Sequence, residues 1–352
     1  MSSVNESVNE HVTIGDIRRR YGISTVAPHS DAVTLTSVAD ELEDITPGAL
    51  YLSPSSQYDS RIVHAAARRG AYAVFFMLPE QSKAVEIPID SEIPVLFGNL
   101  RNSDRARICA DLTGNPSQAL AIFAVQGPRS IFVMRELYDV LHYLGNPLGV
   151  IDSRGGVSLE RELWLKTPLS PLDVQRMLAI MAEDGATSVI VHVDDAVLET
   201  EALTQISIDV YSNPLKESYV VPQLDAVPHP EVKQSTQGGG LRGNTNRVAR
   251  NFLKRQSSES RKNSDGELRK LARQNIQPYG AHISEQTACV DVSAEAKELV
   301  HDALNITGHS PVDEDAEFYD IATAVAMVLA AGVKKGSIKS ALRLSREMKD
   351  EG

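Results

Sequence analysis

The sequence is short of the residues that build covalent or metal frameworks. Its only two cysteines, Cys109 and Cys289, lie far apart in stretches that read as buried elements. That excludes a disulfide framework and a cysteine-based zinc site, and it suits a reducing cytoplasm. His64, His142 and His192 are not at metal-ligand spacing, and a scattered histidine usually satisfies a core or surface position. There is no Gly-x-Ser-x-Gly elbow and no cysteine beside a plausible base, so nucleophilic catalysis has no candidate. The expectation is therefore no metal, no cofactor and no catalytic residue. Long apolar runs are also missing. The most apolar window, Ile321 to Val333, is too short to span a bilayer and reads as an amphipathic helix. The first ten residues lack the basic start and apolar run of a signal peptide. A cytoplasmic protein that does not cross the membrane is expected.

What is present is a globular composition, 42% hydrophobic and 23% charged over 352 residues, long enough for two or three domains. The net charge of -12 repels phosphate at long range, which makes nucleic acid an unfavoured partner for the whole protein.

Along the chain, short apolar runs alternate with helical stretches. After a tail over 1–12, strands are expected at Val33 to Leu35, Leu50 to Leu52, Ala73 to Met77 and Ile93 to Phe97. Helices are expected at Arg61 to Gly70 and Ser103 to Leu112. Gly114, Asn115 and Pro116 then break the chain, placing a first domain at 13–118 and a second at 119–352. The second opens on the continuous apolar run Leu120 to Val125, as in a central parallel strand. A helix from Ile131 to Leu144 follows, with Ser130 available as its cap, then a strand at Leu148 to Ile151. Leu172 to Ala182 reads as a helix started by Ser170 and Pro171. Strands are expected at Val189 to Val193 and Ile206 to Val210. This order predicts an α/β chain: a small α/β domain, then a doubly wound, mostly parallel sheet of mononucleotide type. Residues 222–282 read as a basic mobile insertion, with 11 Lys or Arg against 3 acidic residues between Lys233 and Arg273. Two helices, Ala316 to Ala331 and Ser337 to Lys349, close the chain.

Several stretches together resemble one family. Ser37, then Thr46-Pro47-Gly48-Ala49-Leu50-Tyr51-Leu52, then Ala67-Arg68-Arg69-Gly70-Ala71 are similar to the uridine-binding domain of the Mur ligases, specifically the MurE-like UDP-N-acetylmuramoyl-dipeptide ligases. Gly114-Asn115-Pro116-Ser117 leads into Ile122 to Gly127 as the family's Gly-His-Pro-Ser leads into its phosphate-loop strand. Lys166-Thr167-Pro168, followed by Asp184-Gly185-Ala186-Thr187 and a strand ending in His192, resembles the substrate-contacting Thr-Thr-Pro and the segment after it. The resemblance implies a MurE-like first domain and a Mur-ligase central domain, with Ser37 and Thr167 as contacts for a muramyl nucleotide.

It also implies that the ATP chemistry is gone. The family's phosphate loop reads Gly-Thr-Asn-Gly-Lys-Thr, whereas this chain reads Gly127-Pro128-Arg129-Ser130-Ile131-Phe132. Ile131 replaces the lysine that neutralises phosphate, Phe132 replaces the metal-binding threonine, and Pro128 removes an amide donor. His192 stands at the family's glutamate, followed by Asp194 and Asp195, which read as solvated loop residues. Asn213 alone survives of a further motif, and the adenine-contacting asparagines read as acidic or apolar around Glu317 to Asp320. The family's C-terminal amino-acid domain has no counterpart in the sequence.

The reading is a non-catalytic, Mur-ligase-like binding, scaffold or regulatory module of bacterial peptidoglycan synthesis or cell division, with protein partners from that machinery. Two others stay open. One is an ATP-dependent amide ligase completed by a partner subunit or by Arg129, Asp194 and Asp195. The other is an adaptor that binds nucleic acid or acidic surfaces through Arg242, Arg247, Arg250, Lys254, Arg255, Arg269, Lys270 and Arg273.

Overall fold

The computed structural model describes residues 12–25, 27–77, 91–163, 167–214, 264–304 and 316–350. Contacts divide the chain into one unit over 1–115 and another over 116–352.

The first unit begins with Thr13, whose hydroxyl accepts from the Asp16 amide at 3.2 Å while the Asp16 carboxylate accepts from the Thr13 amide at 3.0 Å. This reciprocal cap starts helix α1 (Ile14–Tyr21). Five strands follow: β1 (Ser24–Thr25), β2 (Ser37–Ala39), β3 (Ala49–Ser53), β4 (Ala73–Met77) and β5 (Val95–Gly98), in the order β1-β5-β4-β3-β2. Strands β2 to β5 are parallel, and β1 runs antiparallel to β5. All five residues of β3 are buried, which is why it reads as an unbroken apolar run. Helices α2 (Ser60–Arg68) and α3 (Asn102–Leu112) complete the unit. The strand expected at Val33 to Leu35 is not formed. Thr34 makes only a single bridge to Thr13, and continuous pairing begins at Ser37.

The second unit holds β6 (Ala121–Gln126), β7 (Leu148–Asp152), β8 (Gly155–Ser158), β9 (Arg161–Leu163), β10 (Ser188–Val193), β11 (Val210–Ser212) and β12 (Ala288–Val290). Their order is β12-β11-β6-β10-β7-β8-β9, parallel except for β8, which pairs antiparallel with both β7 and β9. The helices are α4 (Ser130–Tyr143), α5 (Pro171–Glu183), α6 (Asp195–Glu199), α7 (Ser264–Ile276), α8 (Ala294–Leu304), α9 (Ala316–Ala330) and α10 (Lys335–Asp350). Alternation along β6 sends side chains to opposite faces. Ile122 and Ala124 join a core with Val174, Met177 and Met181 of α5 and Ala272 and Ile276 of α7. Phe123 and Val125 join a second core with Val133 and Leu137 of α4, Val300 of α8, Val325 of α9 and Ile338 of α10. Helices therefore cover both faces of the sheet.

Several expectations are corrected in this unit. The strand expected at Ile206 to Val210 is Val210–Ser212, and Ser207 makes only an isolated bridge to His282. Within the segment read as mobile to 282, residues from Ser264 form α7, and Ala272, Ile276 and Ala281 are buried. Helix α9 is not amphipathic over Ile321 to Val328. Every residue there is buried because α4, α8 and α10 surround it. Among the described residues, no helix is long and apolar enough to cross a membrane.

Candidate functional site

The junction between β6 and α4 lies at the carboxyl end of the parallel sheet, where open α/β folds place their ligands. Its turn is made by Gly127, whose φ of +104° favours glycine. A Cβ there would stand 2.7 Å from Asn213 Oδ1, so the neighbouring strand end also demands a bare backbone. The Ser130 amide donates to the Gly127 carbonyl at 3.1 Å, and those of Phe132 and Val133 donate to the Arg129 carbonyl at 3.0 and 3.1 Å. Pro128 has no amide proton. Three of the amides around this turn are thus engaged within the chain, and one is missing.

The Arg129 side chain crosses the mouth of the junction to α9. Its Nε donates to Asp320 Oδ1 at 2.9 Å and its Nη2 donates to Oδ2, while the guanidinium lies 4.6 Å from the centre of the Phe132 ring. The side chains are 16% and 5% exposed, so the pair is screened little by solvent. Burial pushes the Asp320 carboxyl above its ordinary range, opposed by the Arg129 hydrogen bond and charge. Beside the pair is a shallow recess of about 380 Å³, counting its open mouth, lined by Arg129, Pro214, Asp291, Val292, Tyr319, Asp320 and Thr323. The ion pair forms part of its wall.

Ser130 is the first residue of α4 rather than its cap, which is Arg129. Its hydroxyl is turned to the neighbouring strand, 2.8 Å from His192 Nε2. The adjacent parallel pairing of β6 and β10, which sets Val193 beside Gln126, brings the two residues together. On the other edge of the imidazole, Nδ1 lies 3.8 Å from Asp194 Oδ2. Burial lowers the His192 pKa, and the charges of Asp194 and Asp152 oppose that shift. Asp194 is not a free loop carboxylate, because its Oδ1 accepts from the Val197 amide at 2.9 Å and caps α6. Asp195 is exposed at the first position of that helix.

The other sequence candidates are distributed. Ile131 and Phe132 are half-buried on the first turn of α4. Thr167 is exposed ahead of Ser170, which caps α5. Ser37 belongs to the first unit, with its Oγ 2.7 Å from Thr46 Oγ1. Arg242, Arg247, Arg250, Lys254 and Arg255 lie outside the described residues. Of the rest of the expected basic patch, Lys270 is exposed, but Arg269 and Arg273 both bond to Glu285, and Arg269 also reaches the Thr287 carbonyl at 3.3 Å. These two arginines tie α7 to the following loop. Among the described residues, no three His, Cys, Asp or Glu side chains form a cluster able to hold a metal.

Sequence reasoning missed the partnership of His192 with Ser130 and of Asp320 with Arg129. The members are 62 and 191 positions apart, and no local pattern signals either contact.

The fold defines an α/β protein whose second unit is a doubly wound, mostly parallel sheet. Its structural neighbours are Mur ligases. A UDP-N-acetylmuramoyl-L-alanyl-D-glutamate--2,6-diaminopimelate ligase matches with 17% identity and a TM-score of 0.41, over 59% of this chain and 42% of its own. MurF from Acinetobacter baumannii matches with 14% identity and a TM-score of 0.46, over 95% of this chain and 67% of its own. MurF ligase from Thermotoga maritima, in complex with ADP, matches with 14% identity and a TM-score of 0.27, over 50% of this chain and 37% of its own. The chain thus spans less than half of the first of these ligases. No protein-family model matches the sequence, and a search of curated proteins returns no match. At such identities and scores, function has to be sought in the junction's own chemistry.

Proposed function

We propose that this chain is a Mur-ligase-like module that does not carry out ATP-dependent ligation, and that it acts as a binding or regulatory component of bacterial peptidoglycan synthesis or cell division. The observation that carries this reading is the Arg129–Asp320 ion pair across the β6–α4 junction. A nucleoside triphosphate needs open amides, a free cation and a metal-binding hydroxyl at such a junction. Here the single cation of the turn is neutralised by an internal carboxylate, and Ile131 and Phe132 occupy the next two positions. Asp194, a candidate metal ligand of the partner-completed ligase, is committed to capping α6. On this reading Ser37 and Thr167 are the residues to examine for retained contact with a muramyl nucleotide, and the partners are proteins of the cell-wall machinery.

The test is phosphate release from ATP and Mg²⁺ in the presence of a UDP-muramyl dipeptide and a diamino acid. No release above the rate without protein is expected. Turnover that depends on the muramyl nucleotide would overturn the proposal.

A further inference from the structure

We propose that Ser130, His192 and Asp194 form a nucleophilic centre that takes an acyl group from a small carboxylic ester. A serine alcohol becomes nucleophilic when an imidazole accepts its proton and a carboxylate orients the opposite ring nitrogen. The serine contact is present and the carboxylate is near: Ser130 Oγ lies 2.8 Å from His192 Nε2, and Asp194 Oδ2 lies 3.8 Å from His192 Nδ1, beyond hydrogen-bond reach but close enough for its charge to favour the protonated ring. The serine sits where a buried parallel strand turns into a helix, at the carboxyl end of the sheet. Only 4% of Ser130 and 8% of His192 are exposed, so bulk water does not compete for their hydrogen bond. Helix α4 runs for 14 residues from Ser130, and its positive end favours negative charge developing beside the hydroxyl. Burial keeps the His192 ring neutral near pH 7, the form able to act as a base.

The chemistry balances with water as the only co-reactant. Ser130 Oγ bonds to the ester carbonyl carbon as His192 Nε2 takes its proton. The bond to the alcohol breaks, and His192 returns the proton to that alcohol. Water, deprotonated by the same nitrogen, then releases the carboxylic acid and restores Ser130. Asp194 acts through its charge, which favours the imidazolium that forms when His192 takes the proton.

The experiment treats the full chain with a fluorophosphonate, which loses fluoride on forming a serine phosphonyl ester, and maps the adduct by mass spectrometry across pH 5 to 9. A single adduct on Ser130 is expected, with its rate rising as His192 loses its proton. His192→Gln, checked for an unchanged fold by circular dichroism, should slow labelling by roughly 100-fold. Asp194→Asn keeps a good helix cap, and it should move the midpoint of the pH profile downward because a charge that holds the His192 pKa up is lost. Absence of an adduct on Ser130 in the unaltered chain, or equal labelling of the folded His192→Gln protein, would overturn the proposal. Binding of ATP bears on the preceding section alone and leaves this result unaffected.

Discussion

Arg129 and Asp320 are separated by 191 positions in the chain and meet in a two-pronged ion pair that joins the start of α4 to the start of α9. The pair does locally what a bound phosphate does in a nucleotide protein: it places negative charge against the cation of the turn after the first strand of the sheet. Because the countercharge comes from the chain itself, the second unit should hold its folded state without ligand.

Breaking this pair from one side should be costly. Asp320→Ala leaves a guanidinium largely buried beside Phe132, and Arg129→Ala leaves a buried carboxylate; each should lower stability by about 3–5 kcal/mol. The double variant should cost less than the sum of the two, since neither charge is then stranded. Urea denaturation of all four proteins measures the coupling, and strict additivity would show that the two groups do not act as a pair.

The buried histidine sets a pH dependence. Its folded pKa lies below the ordinary value of about 6.5, so between the two values the unfolded chain binds more protons than the folded one. The stability contributed by neutral His192 is present above about pH 6.5 and is lost as pH falls through the lower folded value. His192→Gln should flatten that part of the stability curve. Denaturation midpoints between pH 5 and 8 supply the measurement.

Gly127 should not accept a side chain. With φ at +104° and Asn213 Oδ1 at 2.7 Å from the Cβ it would gain, Gly127→Ala should cost about 1–3 kcal/mol. The melting temperature reads this directly, and an unchanged value would contradict the close approach.

Helix α5 starts at a reciprocal cap, in which Ser170 Oγ accepts from the Asp173 amide at 3.2 Å and the Asp173 carboxylate accepts from the Ser170 amide at 3.0 Å. Ser170→Ala should lower stability by about 1 kcal/mol. The urea midpoint should fall while the slope of the transition stays unchanged.

Much of the fold could be read where local rules govern it. The buried strands Ala49–Ser53, Ala73–Met77 and Ser188–Val193 announce themselves as mainly apolar runs, and Ser170 with Pro171 marks the start of α5 within one residue. The bounds of strand β11 are hidden in the sequence because Ile206 and Ile208 are buried in the core outside the strand, and burial looks the same in sequence either way. Helix α7 was hidden by its charge. Arg269 and Arg273 resemble a solvated basic stretch until Glu285 is brought beside them. At the site, the turn Gly127-Pro128-Arg129 and its apolar neighbours were legible. The partners that give Arg129 and Ser130 their roles arrive from β10 and α9, and only the folded chain makes those introductions.

The most direct test of the central claim is a calorimetric titration of the full chain with ATP and Mg²⁺. With the turn's cation held by Asp320, no saturable heat should appear at micromolar nucleotide. A saturable isotherm with a micromolar Kd would mean that the junction opens to receive a triphosphate, and the account of a self-neutralised site would fail.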